Sequence, residues 1–97
     1  MSKVAVIATI AVVPERRDEA VQILLRHRER CLRDEPGTLT FELMVPRDEA
    51  HKVMLYEVYA SQAAFDTHWH GESLAICSRE GEGFVSIQSG MWGTPAN

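Results

Sequence analysis

The 97-residue sequence predicts an α+β domain of ferredoxin-like β-α-β-β-α-β order, with helices on one face of an antiparallel sheet. Three observations carry this expectation. A valine- and isoleucine-rich run at 4–13 leads into a long segment with helical apolar spacing. Two alternating segments then flank a short polar turn, as in a hairpin. Finally, a broken helical region precedes a last strand-like stretch. The first strand is apolar on both sides, so a single copy would leave one sheet face as an exposed apolar patch. We therefore expect two chains to stack sheet against sheet.

The first strand is Val4 to Val13, with Val4, Val6, Ala8, Ile10 and Val12 on one face and Ala5, Ile7, Ala11 and Val13 on the other. Met1-Ser2-Lys3 before this run imitates a signal peptide, but the run is too short for a membrane span and is β-branched where signal cores favour Leu. Pro14 ends the strand. Arg16 to Arg33 reads as a helix through Ala20, Val21, Leu24, Leu25, His27, Cys31 and Leu32, with acidic Glu15, Asp18 and Glu19 at its favourable end. Asp34-Glu35-Pro36-Gly37 stops it, because the residue before a proline is pushed out of the helical region.

Thr38 to Val45 alternates as a second strand, with Leu39, Phe41, Leu43 and Val45 on one side. Pro46 to His51 is a polar turn. Lys52 to Ala60 is a third strand, carrying Val53, Leu55, Glu57 and Tyr59 on one side and antiparallel to the second. Ser61 is suited to N-cap a helix over Gln62 to His70, with Ala64, Phe65 and His68 inward. Gly71 breaks it. Glu72 to Glu80 forms a further short helix, and Phe84 to Trp92 is the last strand.

The length allows one domain, 1–97, and the composition, 45% apolar and 25% charged, is that of a packed chain. A formal charge of −4 argues against nucleic acid as a partner. Two cysteines without CxxC spacing, Cys31 and Cys77, make neither a disulfide framework nor a zinc site and fit a reducing cytoplasm. No membrane span is expected. His27 and Cys31 are four apart on one helix, but their side is mainly apolar and no third ligand is evident, so core packing is preferred and no metal is expected. Arg26, Arg30 and Arg33 form a basic stripe that Glu29 is spaced to neutralise at Arg33, hence a solvated face. Gly81-Glu82-Gly83 lacks phosphate-loop spacing. No nucleotide, flavin or nicotinamide site is suggested.

Glu35-Pro36-Gly37, then Phe41-Glu42, then Leu55-Tyr56-Glu57-Val58-Tyr59, then Ala63-Ala64-Phe65 and His68, resemble in order and spacing the antibiotic biosynthesis monooxygenase family of the dimeric α+β barrel superfamily. The resemblance is close over 35–68 and looser over most of the chain. It implies a homodimer whose sheets pack into a barrel. Relatives include quinol and anthrone oxygenases, an isomerase-like enzyme, haem-degrading enzymes and proteins without a known substrate, so it speaks more to fold than to reaction. The haem-degrading branch has an Asn where Ile7 stands, a Trp where His68 stands and a haem-ligating His near Ser78. This chain has none of them.

His68 is the foremost catalytic candidate: the resemblance places it near a cleft, and imidazole is the side chain best suited to take a phenolic proton at neutral pH. The bland alternative is a packed, hydrogen-bonded helix histidine. Glu57, a carboxylate on an apolar strand face, needs a partner; it either orients His68 or makes a salt bridge at the dimer seam. The resemblance sets Tyr59 at a pocket-lining aromatic position. Phe41, Phe65 and Trp69 are candidates to shape an aromatic substrate pocket, though each alone reads more readily as plain core. Arg79 stands where an anthrone-oxidising branch has an arginine toward a substrate oxygen, against the alternative of a solvated surface residue. His70 reads as surface.

The expectation that follows is a cofactor-independent monooxygenase acting with O₂ on a small aromatic substrate, quinol-like or polycyclic and phenolic. Two alternatives stay open: a non-catalytic dimer that binds a small ligand, and a cofactor-free isomerase of a small carbonyl metabolite.

Overall fold

The computed structural model describes residues 2–96; Met1 and Asn97, at the ends of the expected 1–97 domain and signal-like segment, lie outside the described residues. Four strands, β1 (Val4–Val12), β2 (Thr38–Met44), β3 (Lys52–Tyr59) and β4 (Val85–Gly93), form one antiparallel sheet in the order β2-β3-β1-β4. Helices α1 (Arg17–Asp34), α2 (Gln62–Trp69) and α3 (Glu72–Glu80) complete the predicted α+β, ferredoxin-like order. The expected ends shift by a residue or so. The largest change is a 3₁₀ turn at Pro14–Arg16 ahead of α1, where Pro14 fills an early helical position that needs no amide donor. Among the described residues no helix is long and apolar enough to cross a membrane.

The helices bury one face of the sheet. Val6, Ala8, Ile10 and Val12 of β1 pack with Phe41, Val53, Leu55 and Tyr59 against Ala20, Ile23, Leu24 and Cys31 of α1. Leu25 and Leu32, expected inward, are exposed, because the buried stripe of α1 runs narrowly through 20, 23, 24, 27 and 31. The other sheet face carries a row of exposed apolar side chains. Ile7 is opposite Tyr56 on β3 and Met91 on β4, and the three are 46%, 42% and 68% exposed. The basic stripe of α1 is only partly solvated. Arg30 turns inward to Ser73, Arg26 pairs with Glu80, and Arg33 pairs with adjacent Asp34 instead of Glu29.

Two local features fix α2. Ser61 caps it by accepting a hydrogen bond from the Ala64 amide at 3.1 Å, as the sequence suggests. The turn after α1 closes on it: the Ala60 amide donates to the Gly37 carbonyl at 2.8 Å, and a Cβ added at Gly37 would lie 2.4 Å from that of Ala64. Glycine is required here by close approach.

Gly37→Ala is therefore expected to destabilise the fold by about 1–3 kcal/mol through overpacking. At roughly 4–8 °C per kcal/mol, a thermal melt would read this directly. Adding Ala64→Gly should recover part of the loss, so that a double-mutant cycle gives a favourable coupling; strictly additive losses would place the clash elsewhere.

Candidate active site

Glu35 follows α1 and precedes Pro36. The proline holds it extended, at φ −115° and ψ 95°, while its amide still donates to the Cys31 carbonyl. Its side chain thereby reaches α2. The Nδ1–H of His68 donates to Glu35 Oε1 at 2.9 Å, and the Thr38 hydroxyl donates to the same oxygen at 3.0 Å. His68 is 4% exposed, so the bond forms in largely dry surroundings. With Nδ1 as donor, the neutral imidazole keeps its lone pair on Nε2.

Glu57 lies 3.9 Å from that Nε2, beyond hydrogen-bond distance. Its carboxylate instead accepts a bond from the Tyr59 hydroxyl. This corrects the expectation that Glu57 orients His68, because the carboxylate on Nδ1 is Glu35. Burial raises the Glu57 pKa above the ordinary carboxylate range, opposed by the Tyr59 bond and by His68. The Tyr59 phenol is pushed far above its usual value by burial and then by Glu57, so it remains a donor.

An apolar cavity of about 140 Å³ lies between the inner sheet face and α2 and α3. His68 and Glu57 reach it from one side, and Phe65, Trp69 and Trp92 form an aromatic part of its wall. Phe65 stacks on Trp69 at 6.0 Å between centroids and meets Trp92 edge-on at 6.1 Å. Phe65 and Trp69 thus line the cavity. Phe41 and Tyr59 do not: both are fully buried behind His68, with ring centroids 6.3 and 5.1 Å from it, and neither lines the cavity. Arg79 is also displaced from its expected place. Inward-facing Cys77 turns Arg79 to the outer side of α3, where it is exposed 3.9 Å from Glu72.

His27 and Cys31 sit beneath the cavity. Cys31 Sγ lies 3.6 Å from His68 Nδ1 and 3.6 Å from each ring nitrogen of His27. The third potential metal ligand that α1 lacks is thus supplied by His68, contrary to the expectation from sequence. Burial, then His68 and Arg30, push the His27 pKa down to about 4, while burial pushes the Cys31 thiol up to about 12. Glu35, His27 and Trp92 were not among the candidate site residues. The signal for Glu35 was its place before Pro36, which ends the helix and also re-aims the side chain.

A family model described as antibiotic biosynthesis monooxygenase matches residues 3–75. Comparison with curated protein sequences finds no match. Among solved structures, the chain is similar to a proposed antibiotic biosynthesis monooxygenase from Caulobacter crescentus, with TM-score 0.84, 20% identity and coverage of 96% of this chain and 87% of that one. It is also similar to SnoaB, a cofactor-independent oxygenase from Streptomyces nogalater, with TM-score 0.83, 15% identity and coverage of 100% and 96%. A third likeness, to a proposed member from Chloroflexus aurantiacus, has TM-score 0.84 and 16% identity over 99% and 95%. At these identities the likeness is one of fold.

The depressed His27 pKa makes a stability prediction. The folded state keeps His27 neutral to about pH 4, whereas the unfolded chain protonates it near 6.5, so its contribution is complete above 6.5 and is lost as pH falls toward 4. The loss is on the order of 3 kcal/mol across that window. Glu57 works in the opposite sense, since a raised pKa makes its burial less costly as pH falls. Urea unfolding at stepped pH should show a steeper acid loss in the wild type than in His27→Gln; equal slopes would contradict the assignment.

Proposed function

The chain belongs to the antibiotic biosynthesis monooxygenase family, and from that membership we propose that it is a cofactor-independent monooxygenase of a small quinol, with His68 as general base. The observation that carries this reading is the Glu35–His68 hydrogen bond at the wall of an apolar cavity, which leaves Nε2 free to take a proton. The cavity, about 140 Å³, is close to the roughly 150 Å³ that accommodates benzene. That size favours a single-ring substrate over a polycyclic one.

His68 Nε2 removes a hydroxyl proton from the quinol, and Glu35 stabilises the imidazolium that forms. In a dry site the resulting anion is poorly solvated and electron-rich. It passes an electron to O₂, and the two radicals combine to form a carbon–oxygen bond. Loss of water, with His68 returning its proton, leaves a hydroxyquinone. One oxygen atom enters the ring and the other leaves as water, all four electrons coming from the substrate. Phe65, Trp69 and Trp92 offer aromatic faces to hold the ring. The unpaired, buried thiols Cys31 and Cys77 support a cytoplasmic setting.

A homodimer belongs to the same reading. The Tyr56–Ile7–Met91 row is a continuous apolar strip on the uncovered sheet face, suited to an isologous contact with a second copy.

Oxygen uptake by metal-stripped protein with single-ring and fused-ring quinols tests the activity. His68→Ala should lower turnover by about 10²- to 10⁴-fold, with the fold verified by thermal melt. Dependence on added flavin or iron, or an unaffected His68→Ala variant, would refute the mechanism. Saturable quinol binding without oxygen uptake would favour the ligand-binding alternative, and product formed anaerobically would favour an isomerase. For assembly, sedimentation equilibrium should give the mass of two chains and Ile7→Asp that of one; a wild-type monomer would dismiss the dimer.

A further inference from the structure

We infer that His27, Cys31 and His68 form a binding site for a borderline-soft divalent cation of the zinc type at the floor of the cavity, and that the ion, when bound, takes His68 out of service as a base. The binding claim stands on the three side chains alone. Its effect on turnover rests on the proposed role of His68.

The donor set and its spacing are the grounds. A thiolate with two imidazoles is a combination suited to zinc. Tetrahedral zinc, with sulfur at about 2.3 Å and nitrogen at about 2.0–2.1 Å, leaves a sulfur and a nitrogen ligand about 3.5 Å apart. Cys31 Sγ is 3.6 Å from His68 Nδ1 and 3.6 Å from the His27 nitrogens, and one ligand atom from each residue falls within 4.8 Å of the others. His27 and Cys31 share one side of α1 at i, i+4, and α2 brings His68 to them. Three potential ligands therefore meet in the core without a break in either helix.

Charge and access also fit. Glu35 Oε1, 2.9 Å from His68 Nδ1, is within reach of the fourth position or of a water there. Thiolate and carboxylate together balance a dication, which a buried site requires. His27 and His68 line the cavity, giving the ion a way in. Binding releases the Cys31 proton to solvent, and the His68 proton leaves Nδ1 and its bond to Glu35 for Nε2, where it occupies the lone pair that the base would use. The His27 ring must also turn, since Sγ is equally distant from both of its nitrogens. No electron transfer is involved.

Cobalt(II) added to metal-stripped, reduced protein is the probe, because a thiolate-to-cobalt charge-transfer band reports sulfur ligation. The expected result is a band that saturates at one ion per chain and is abolished by excess zinc. Cys31→Ser should lose the band, and His27→Gln should weaken cobalt binding by more than the roughly 10- to 100-fold typical of removing a partner of a ligand. Cys77→Ser should keep it. No band in the wild type, a band that survives in Cys31→Ser, or one lost only in Cys77→Ser would overturn the site. Zinc should also suppress oxygen uptake in the wild type at stoichiometric loading. Stoichiometric cobalt binding without any oxygen uptake would sustain the metal site and count against the oxygenase reading, so the two fail separately.

Discussion

The site depends on a part-buried hydrogen bond between the ends of two helices, that of Glu35 with His68. Glu35 lies just beyond α1 and His68 lies on α2, a helix of 8 residues that is too short to be stable by its own backbone bonds. What holds α2 is external: the Ser61 cap, the close approach of Gly37 to Ala64, and this charge-assisted bond inside the core. Such a bond is stronger in dry surroundings than in water, and a misplaced partner there is costly. The same geometry that makes α2 stay in place therefore makes the histidine point one way.

Around that bond the environment is arranged to leave little charge. Burial holds His27 neutral, keeps the Cys31 thiol protonated and raises the Tyr59 phenol, while Glu57 is opposed by its own desolvation. Among the described residues every buried side-chain nitrogen or oxygen has a hydrogen-bond partner. Polar groups are thus present without an unsatisfied one, which allows an apolar cavity to lie directly beside them. A proton acceptor facing such a cavity has no bulk water competing for its lone pair.

Much of the fold was legible in the sequence because its signals are local. Alternation marked β2 and β3, Pro14 and Pro36 marked ends, and Ser61 marked the start of α2. The site was legible only in part. His68, Phe65 and Trp69 lie on one short helix, so their relation to each other follows from helical spacing. Glu35 meets His68 across 33 positions, and local pattern carries no information on that pairing. Phe41 and Tyr59 share the inward strand faces with cavity-lining Leu55 and Glu57, and alternation tells in from out but not cavity wall from solid core. Arg79 failed for a simpler reason. Two residues along a helix from buried Cys77, it turns about 200° away.

The contrast between the two ends of the cavity bears on how one fold can serve many substrates. Its floor is enclosed: His27 and His68, with Cys31 beneath them, are nearly inaccessible and tied to both α1 and α2. Its aromatic wall is not comparably enclosed, since Trp69 and Trp92 are 45% and 55% exposed. Trp92 reaches that wall from β4 by lying over Gly90, where a Cβ would come 2.8 Å from the indole. A side chain at position 90 would push the indole off the strand and change the cavity's shape without touching His68. Under the proposed oxygenase reading, selectivity for ring size would reside in a wall that can vary, and proton transfer in a floor that the packing of the whole domain encloses.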